Sequence, residues 1–369
     1  MTLLALALVV AWGYALISGA LGAPSFIWLE RTPPAHSLPG LTVVLAARDE
    51  AGGVAACLTS LLASRHPDLA IIALDDRSSD GTGAIMDSLA GGRLQVVHVR
   101  GLPDGWLGKN HALWLGAGMA QTPWLLFTDG DVIFHPDAIA RGQAWALARG
   151  LDHLAVAPEL LGGGWLLKAV EGVFTTFFTS VTRVGRVASP NSSAAFGVGA
   201  FNLVRTEAYR AIGTHAAIAL RPDDDVMLGR LVKQGGHRSA VGLGRGYVSV
   251  PWYRTLGEMA RGFEKNALAP VGYRAWLGVL IGLLVLAAFA GPFLLLLTEA
   301  RAIAALAAAM ALALYLGVNR PAGVPAWTAL LMPISGLILV VLYERAVILT
   351  AMRGEIRWRG RSYRLRDLR

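Results

Sequence analysis

The sequence predicts an α/β domain on a mainly parallel sheet, carried between membrane-spanning helices. Three observations point there. Short apolar runs alternate with helical patterns from residue 41 to residue 128, the arrangement that gives strands joined by crossover helices. Long uncharged runs lie towards both ends of the chain. Acidic residues collect where the apolar runs stop, and open sheets of this type bind ligands at the carboxyl ends of their strands. Composition agrees: of 369 residues 54% are hydrophobic and 16% charged, with a mean hydropathy of +0.51, too apolar for an ordinary soluble enzyme.

The elements follow in order. Residues 2–22 carry no charge, and roughly 20 apolar residues cross a bilayer as a helix. The run has no positive flank and is longer than a usual secretory core, so it reads as a transmembrane helix rather than a cleaved signal. The Pro-rich stretch 33–40 is a stiff linker. A catalytic domain is expected over 38–250. It opens with strands at Leu41–Ala47, Leu69–Leu74, Leu94–Val99 and Trp124–Thr128, and with helices at Val54–Leu62, Ala84–Leu89 and Ala112–Ala120. Over 254–272, Leu256, Met259, Ala260, Phe263 and Ala267 recur on one helical face, with Arg254, Glu258, Arg261 and Lys265 on the other. An amphipathic helix just before a membrane segment suggests one lying in the bilayer interface; the alternative is a surface helix facing a protein core.

Residues 275–349 hold the uncharged runs 275–297, 302–318 and 326–343, read as two or three transmembrane helices. The tail 352–369 has seven Arg against Glu355 and Asp367, and the positive-inside bias places it in the cytosol near anionic headgroups. A cytosolic catalytic domain followed by three full crossings would put the tail outside. Either one run does not cross, the shortest run 302–318 being the first suspect, or the tail is an exception. No basic, aromatic-interleaved surface appears in mid-chain, which speaks against a nucleic-acid partner. Cys57 is the only cysteine, which excludes an intrachain disulfide and a Cys-rich metal site.

Four clusters carry chemistry. Asp129-Gly130-Asp131 ends a strand with two carboxylates side by side, hard oxygen donors suited to Mg²⁺ or Mn²⁺ with substrate phosphates; alone it is more often a polar turn. Asp75-Asp76-Arg77-Ser78-Ser79-Asp80-Gly81-Thr82 places acids at a strand-to-helix turn, able to accept hydrogen bonds from a base or ribose or to cap the helix. Gly105-Trp106-Leu107-Gly108-Lys109-Asn110 offers a cation beside flexible backbone, without the full P-loop spacing. Asp223-Asp224-Asp225 sets three acids in a row, where one can serve as a general base, or where all three simply favour a helix N-terminus.

Together with Arg48-Asp49-Glu50 after the first strand, these clusters resemble a membrane-bound family-2 glycosyltransferase with a GT-A domain, of the type that glycosylates lipids. The likeness covers about residues 38–270. It implies a nucleotide-sugar donor, expected to be a UDP-sugar, a membrane lipid acceptor, and a bacterial inner-membrane location with the catalytic domain in the cytosol. It assigns Arg48, Glu50, Asp75, Asp76, Lys109 and Asp129 to the donor, Asp129 and Asp131 to the metal, and Asp225 to the base with Asp224 beside it. Gly199, Phe201 and Asn202, in a glycine-rich stretch, become acceptor candidates. The sequence departs from processive polysaccharide synthases, which carry Gln-x-x-Arg-Trp where this chain has Arg261-Gly262-Phe263-Glu264-Lys265. Arg261 and Lys265 share a helix face and are candidates to clamp the diphosphate. A polysaccharide synthase and a catalytically silent membrane scaffold remain as alternatives, the latter expected to have lost a carboxylate that is retained here.

Overall fold

The computed structural model describes residues 1–33, 35, 37–358 and 361–368. Pro34 and His36 of the expected linker, and Arg359, Gly360 and Arg369 of the expected tail, lie outside the described residues. The chain divides into two compact units. One comprises Met1–Pro24, Gly162–Gly185 and Trp252–Arg369, the other Ser25–Leu161 and Arg186–Pro251.

In chain order the strands are β1 (Ile27–Trp28), β2 (Leu41–Ala47), β3 (Leu69–Asp75), β4 (Leu94–His98), β5 (Trp124–Asp129), β6 (Ile133–Phe134), β7 (His153–Ala157), β8 (Glu159–Leu160), β9 (Asn202–Arg205), β10 (Ser239–Leu243) and β11 (Val248–Val250), followed by β12 (Glu355–Trp358) and β13 (Arg361–Arg364). The helices are α1 (Thr2–Gly22), α2 (Val54–Leu62), α3 (Thr82–Leu89), α4 (Gly108–Met119), α5 (Ala138–Ala148), α6 (Trp165–Thr182), α7 (Thr206–Ala211), α8 (Asp224–Gln234), α9 (Leu256–Asn266), α10 (Ala275–Phe289), α11 (Gly291–Leu295), α12 (Arg301–Asn319) and α13 (Met332–Arg353).

The sheet unit is built on eight strands in the order β1-β10-β7-β9-β5-β2-β3-β4. Every neighbour pair is parallel except those of β9, which runs against β5 and β7. The sheet is thus mainly parallel, as expected. Val44, Ile72, Leu74, Leu125 and Phe127 cover one face with Leu113 of α4 and Leu228 and Val232 of α8. Burial on both faces is why β2, β3 and β5 read as unbroken apolar runs. The register sets Ala47 opposite Asp75 and Ala46 opposite Asp129. The loops that follow β2, β3 and β5 therefore leave the sheet along one edge.

The helical unit includes α6, which interrupts the span 38–250 that the sequence assigns to one domain. Its buried residues include Val170, Gly172, Val173 and Thr176. Asn319 of α12 donates to the Gly172 carbonyl at 3.1 Å and to Thr176 Oγ1 at 2.8 Å. Gly172 permits this approach, because a Cβ there would lie 2.2 Å from the Tyr315 hydroxyl oxygen.

Among the described residues, three helical segments are long and apolar enough to cross a membrane: Thr2–Ser25, Arg301–Asn319 and Ala326–Arg353. The segments Leu256–Val271 and Ala275–Phe289 meet the same test as a pair bent by 107°. The run 302–318, first suspect for not crossing, lies in an uninterrupted 19-residue helix. The break falls instead in 275–297, between α10 and α11 at Ala290. Helix α12 lies along α1 in the same direction, with Gly13 facing Met310 and Gly19 facing Leu314. The broken run passes α1 in the opposite direction. The Trp12 indole donates to the Ala288 carbonyl at 3.1 Å, and Gly291 faces Leu8.

The apolar face of α9 is buried in protein: Met259, Ala260 and Phe263 are covered. Tyr343 of α13 donates to the Ala267 carbonyl, and Arg345 and Arg353 pair with Glu264 at 2.7 and 2.6 Å. Protein contacts thus cover the apolar face of this helix. The tail is not a plain extended segment, since β12 and β13 pair as an antiparallel hairpin.

Candidate active site

The sheet edge gathers the acidic clusters from distant parts of the chain. Lys109, in the first turn of α4, places Nζ 2.8 Å from Asp129 Oδ1 and 3.1 Å from Asp224 Oδ2. Burial disfavours the ammonium, but Asp129, Asp224 and Asp225 outweigh it and hold its pKa well above the ordinary lysine value. The sequence reading placed Lys109 beside phosphate. Here it bridges the end of β5 to the start of α8.

Asp131 is pushed up to about 7, first by burial and then by repulsion from Asp129 and Glu50. Carboxylates crowded in this way are the donor type that a hard divalent cation neutralises. Among the described residues no group of three or more His, Cys, Asp or Glu side chains is spaced to hold a metal. Asp129 and Asp131 fit a cation of the Mg²⁺ class that completes its shell with water and substrate phosphate.

Gly199 stands at this edge for a steric reason. A Cβ there would lie 2.2 Å from Asp129 Oδ2, and the Gly199 carbonyl accepts from the Asp129 amide at 2.9 Å. The neighbouring acceptor candidates turn inward. Phe201 is fully buried, where its ring would meet any side chain at Gly142, and Asn202 is 1% exposed with its amide hydrogen-bonded. Neither lines an open acceptor surface.

The three adjacent acids are held differently. Asp223 accepts two hydrogen bonds from Arg221, at 2.9 and 2.8 Å. Asp224 is buried against Lys109. Asp225 is half-buried at the start of α8, and burial followed by the Asp224 charge pushes its pKa up to about 6. That poises a carboxylate near the working range of a general base. Asn110, next after Lys109, pins the approach to this triplet. Its amide donates to the carbonyls of Ile218, Ala219 and Arg221.

The acids after β3 have partners within the protein. Asp75 accepts from the Ser78 amide at 3.1 Å and lies 3.0 Å from His98 Nδ1. Asp76 is 2% exposed and accepts from Arg77 Nε at 2.8 Å, with Arg48 Nη1 at 3.9 Å. Asp80 accepts from the amides of Ala51 and Thr82, and Thr82 Oγ1 accepts from the Glu50 amide. This turn therefore fastens the loop after β2 to the start of α3. Arg261 and Lys265 belong to the helical unit, on α9.

Residues 42–213 match the family model described as Glycosyl transferase family 2. Among curated proteins, the succinoglycan biosynthesis protein ExoO of Rhizobium meliloti is 28% identical over 110 residues, 30% of each chain. The matched stretch thus spans about a third of that relative. Among solved structures, the mannosyltransferase PcManGT from Pyrobaculum calidifontis, in complex with GDP-Man and Mn²⁺, superposes with a TM-score of 0.54 at 16% identity, over 95% of this chain and 98% of that one. Mannosyl-3-phosphoglycerate synthase from Rubrobacter xylanophilus gives a TM-score of 0.43 at 18% identity, over 66% of this chain and 79% of that one. The sheet unit has the GT-A-like α/β fold with a mostly parallel central sheet.

Proposed function

We propose that this chain, with a family-2 glycosyltransferase domain matched over residues 42–213, is an inverting enzyme that moves a sugar from a UDP-sugar to a hydroxyl of a membrane lipid. The observation that carries the reading is the Lys109 ammonium set between Asp129 and Asp224, with Asp225 next in the chain. It draws together a donor-side carboxylate and a candidate base at the edge where such sheets bind ligands.

In this reading Asp225 accepts the proton of the acceptor hydroxyl. The acceptor oxygen bonds to the anomeric carbon from the face opposite the nucleotide. The anomeric C–O bond breaks, and the nucleoside diphosphate leaves with its electron pair. Asp131 and Asp129 would hold a Mg²⁺ or Mn²⁺ ion, which supplies charge neutralisation at the diphosphate when bound. Lys109 keeps Asp129 and Asp224 in place through its two ion pairs. Asp75, Asp76, Arg48 and Glu50 are proposed at the nucleoside. The apolar helices support residence in a bacterial inner membrane, with the sheet unit in the cytosol.

A second reading has one observation in its favour: the curated relative's name refers to succinoglycan biosynthesis, which suggests a saccharide acceptor. Incubating the detergent-purified chain with UDP-sugars, Mn²⁺ and a bacterial total lipid extract, then analysing by mass spectrometry, separates the two. A hexose-bearing lipid is the expected product. Water-soluble oligosaccharide without any sugar-modified lipid would transfer the case to the second reading.

A further inference from the structure

We propose that a buried hydrogen-bond chain running Ser239–His153–Asn202 fixes the position of Asp225, making His153 and Asn202 positioning residues for transfer. The proposal rests on the reading of Asp225 as the base.

Three neighbouring strands supply the chain. Ser239 of β10 and His153 of β7 are register partners, and His153 Nδ1 lies 2.7 Å from Ser239 Oγ. His153 Nε2 lies 2.5 Å from Asn202 Oδ1 on β9. Asn202 Nδ2 then donates to the backbone carbonyl of Asp225 at 3.2 Å. The direction of every bond follows. The Asn202 NH₂ is spent on Asp225, so its oxygen accepts. His153 must then carry its proton on Nε2, which leaves Nδ1 to accept from the Ser239 hydroxyl. Burial lowers the His153 pKa to about 4, which keeps the ring neutral, as this order requires.

The far end of the chain meets the first turn of α8, which packs closely on the backbone of residues 196–197. A Cβ on Gly197 would lie 1.8 Å from the Asp225 carbonyl oxygen, and one on Gly229 would lie 2.1 Å from the Phe196 carbonyl oxygen. Helix α8 thus rests on bare backbone and takes a lateral hydrogen bond from Asn202. Leu154, Ala155, Leu203 and Val204 beside these polar residues are apolar and buried. A polar chain there costs desolvation that an apolar pair avoids. What it adds is a directional hold on one carbonyl.

The test uses the full-length protein in detergent, with UDP plus Mn²⁺ as the binding probe and UDP release from UDP-sugar with total lipid extract as the rate. His153→Leu should lower kcat by on the order of 10–100-fold, while UDP affinity stays within about twofold. His153→Gln, whose amide N–H replaces that of Nε2, should recover most of the loss. In an Asp225→Asn background, His153→Leu should cause no further loss. If His153→Leu fails to fold by size exclusion, Asn202→Ser takes its place. Wild-type kcat in the substituted protein, or an equal loss with Asp225 already replaced, overturns the proposal. The base assignment fails separately, if Asp225→Asn itself keeps wild-type turnover.

Discussion

Asp223, Asp224 and Asp225 are consecutive, yet a different partner holds each. Arg221 engages Asp223 through two nitrogens of its guanidinium, Lys109 engages Asp224, and Asp225 accepts from the Val226 amide while feeling the charges of Asp224, Lys109 and Asp129. Asp225→Asn should therefore lose about 10²–10⁴-fold in rate with donor affinity nearly unchanged, as initial rates and UDP titration would show. Asp223→Asn should be much milder. A dead Asp224→Asn beside an active Asp225→Asn would move the base by one residue. The pH dependence has a definite sign. A base pushed up to about 6 is protonated below that value, so the rate should fall as pH drops through 6 and level off above it. A flat profile from pH 5 to 8 would contradict this. Gly199→Ala should also abolish turnover without unfolding the protein, since its Cβ would displace the Asp129 carboxylate. The sequence made these acids visible, because three in a row and a strand-end pair are poor choices for a plain surface. It could not show Arg221 or the Asn202 chain. Those roles depend on which strands pair, and Asn202, taken there for an acceptor contact, differs only in facing inward.

Among the elements, β2, β3 and β5 are legible to within a residue because burial leaves their apolar runs unbroken, and α2 because Val54, Cys57, Leu58 and Leu61 recur on one buried face. Helix α4 starts at Gly108, four residues before its apolar pattern begins, since Gly108, Lys109 and Asn110 serve the site rather than the core. Strands β7, β9 and β10 are too short to stand out in the sequence, and α6 falls in the helical unit. Its assignment turns on polar contacts with α12 that periodicity does not report. Those contacts can be tested directly. Asn319→Ala removes donors from the Gly172 carbonyl and Thr176, both buried, and should cost about 1–3 kcal/mol of stability. A lowered melting temperature in detergent is the expected result. An unchanged one would mean that α6 is held by apolar packing alone.

For the whole molecule, the direction of the helices bears on the side of the tail. Helices α1 and α12 run the same way, with the broken run between them reversed. Arg353 at the end of α13 is paired with Glu264 of α9, and α9 begins six residues after Val250. Six residues reach about 20 Å, short of the roughly 30 Å hydrocarbon core. The prediction is that the sheet unit and the tail hairpin share the cytosolic side, with 302–318 crossing and the chain from 320 to 353 returning to the side it left. Single cysteines placed in a Cys57→Ser background at Ser79 and Ser362 should both resist impermeant maleimide in intact cells. Labelling at either position would refute the arrangement. The Lys109 bridge has a consequence of a different kind. It gives the resting protein a permanent internal counter-ion, so the fold is self-sufficient before any donor arrives. Chelator should then silence turnover while leaving the melting temperature where it was, and added Mn²⁺ should restore activity to the stored protein without a refolding lag.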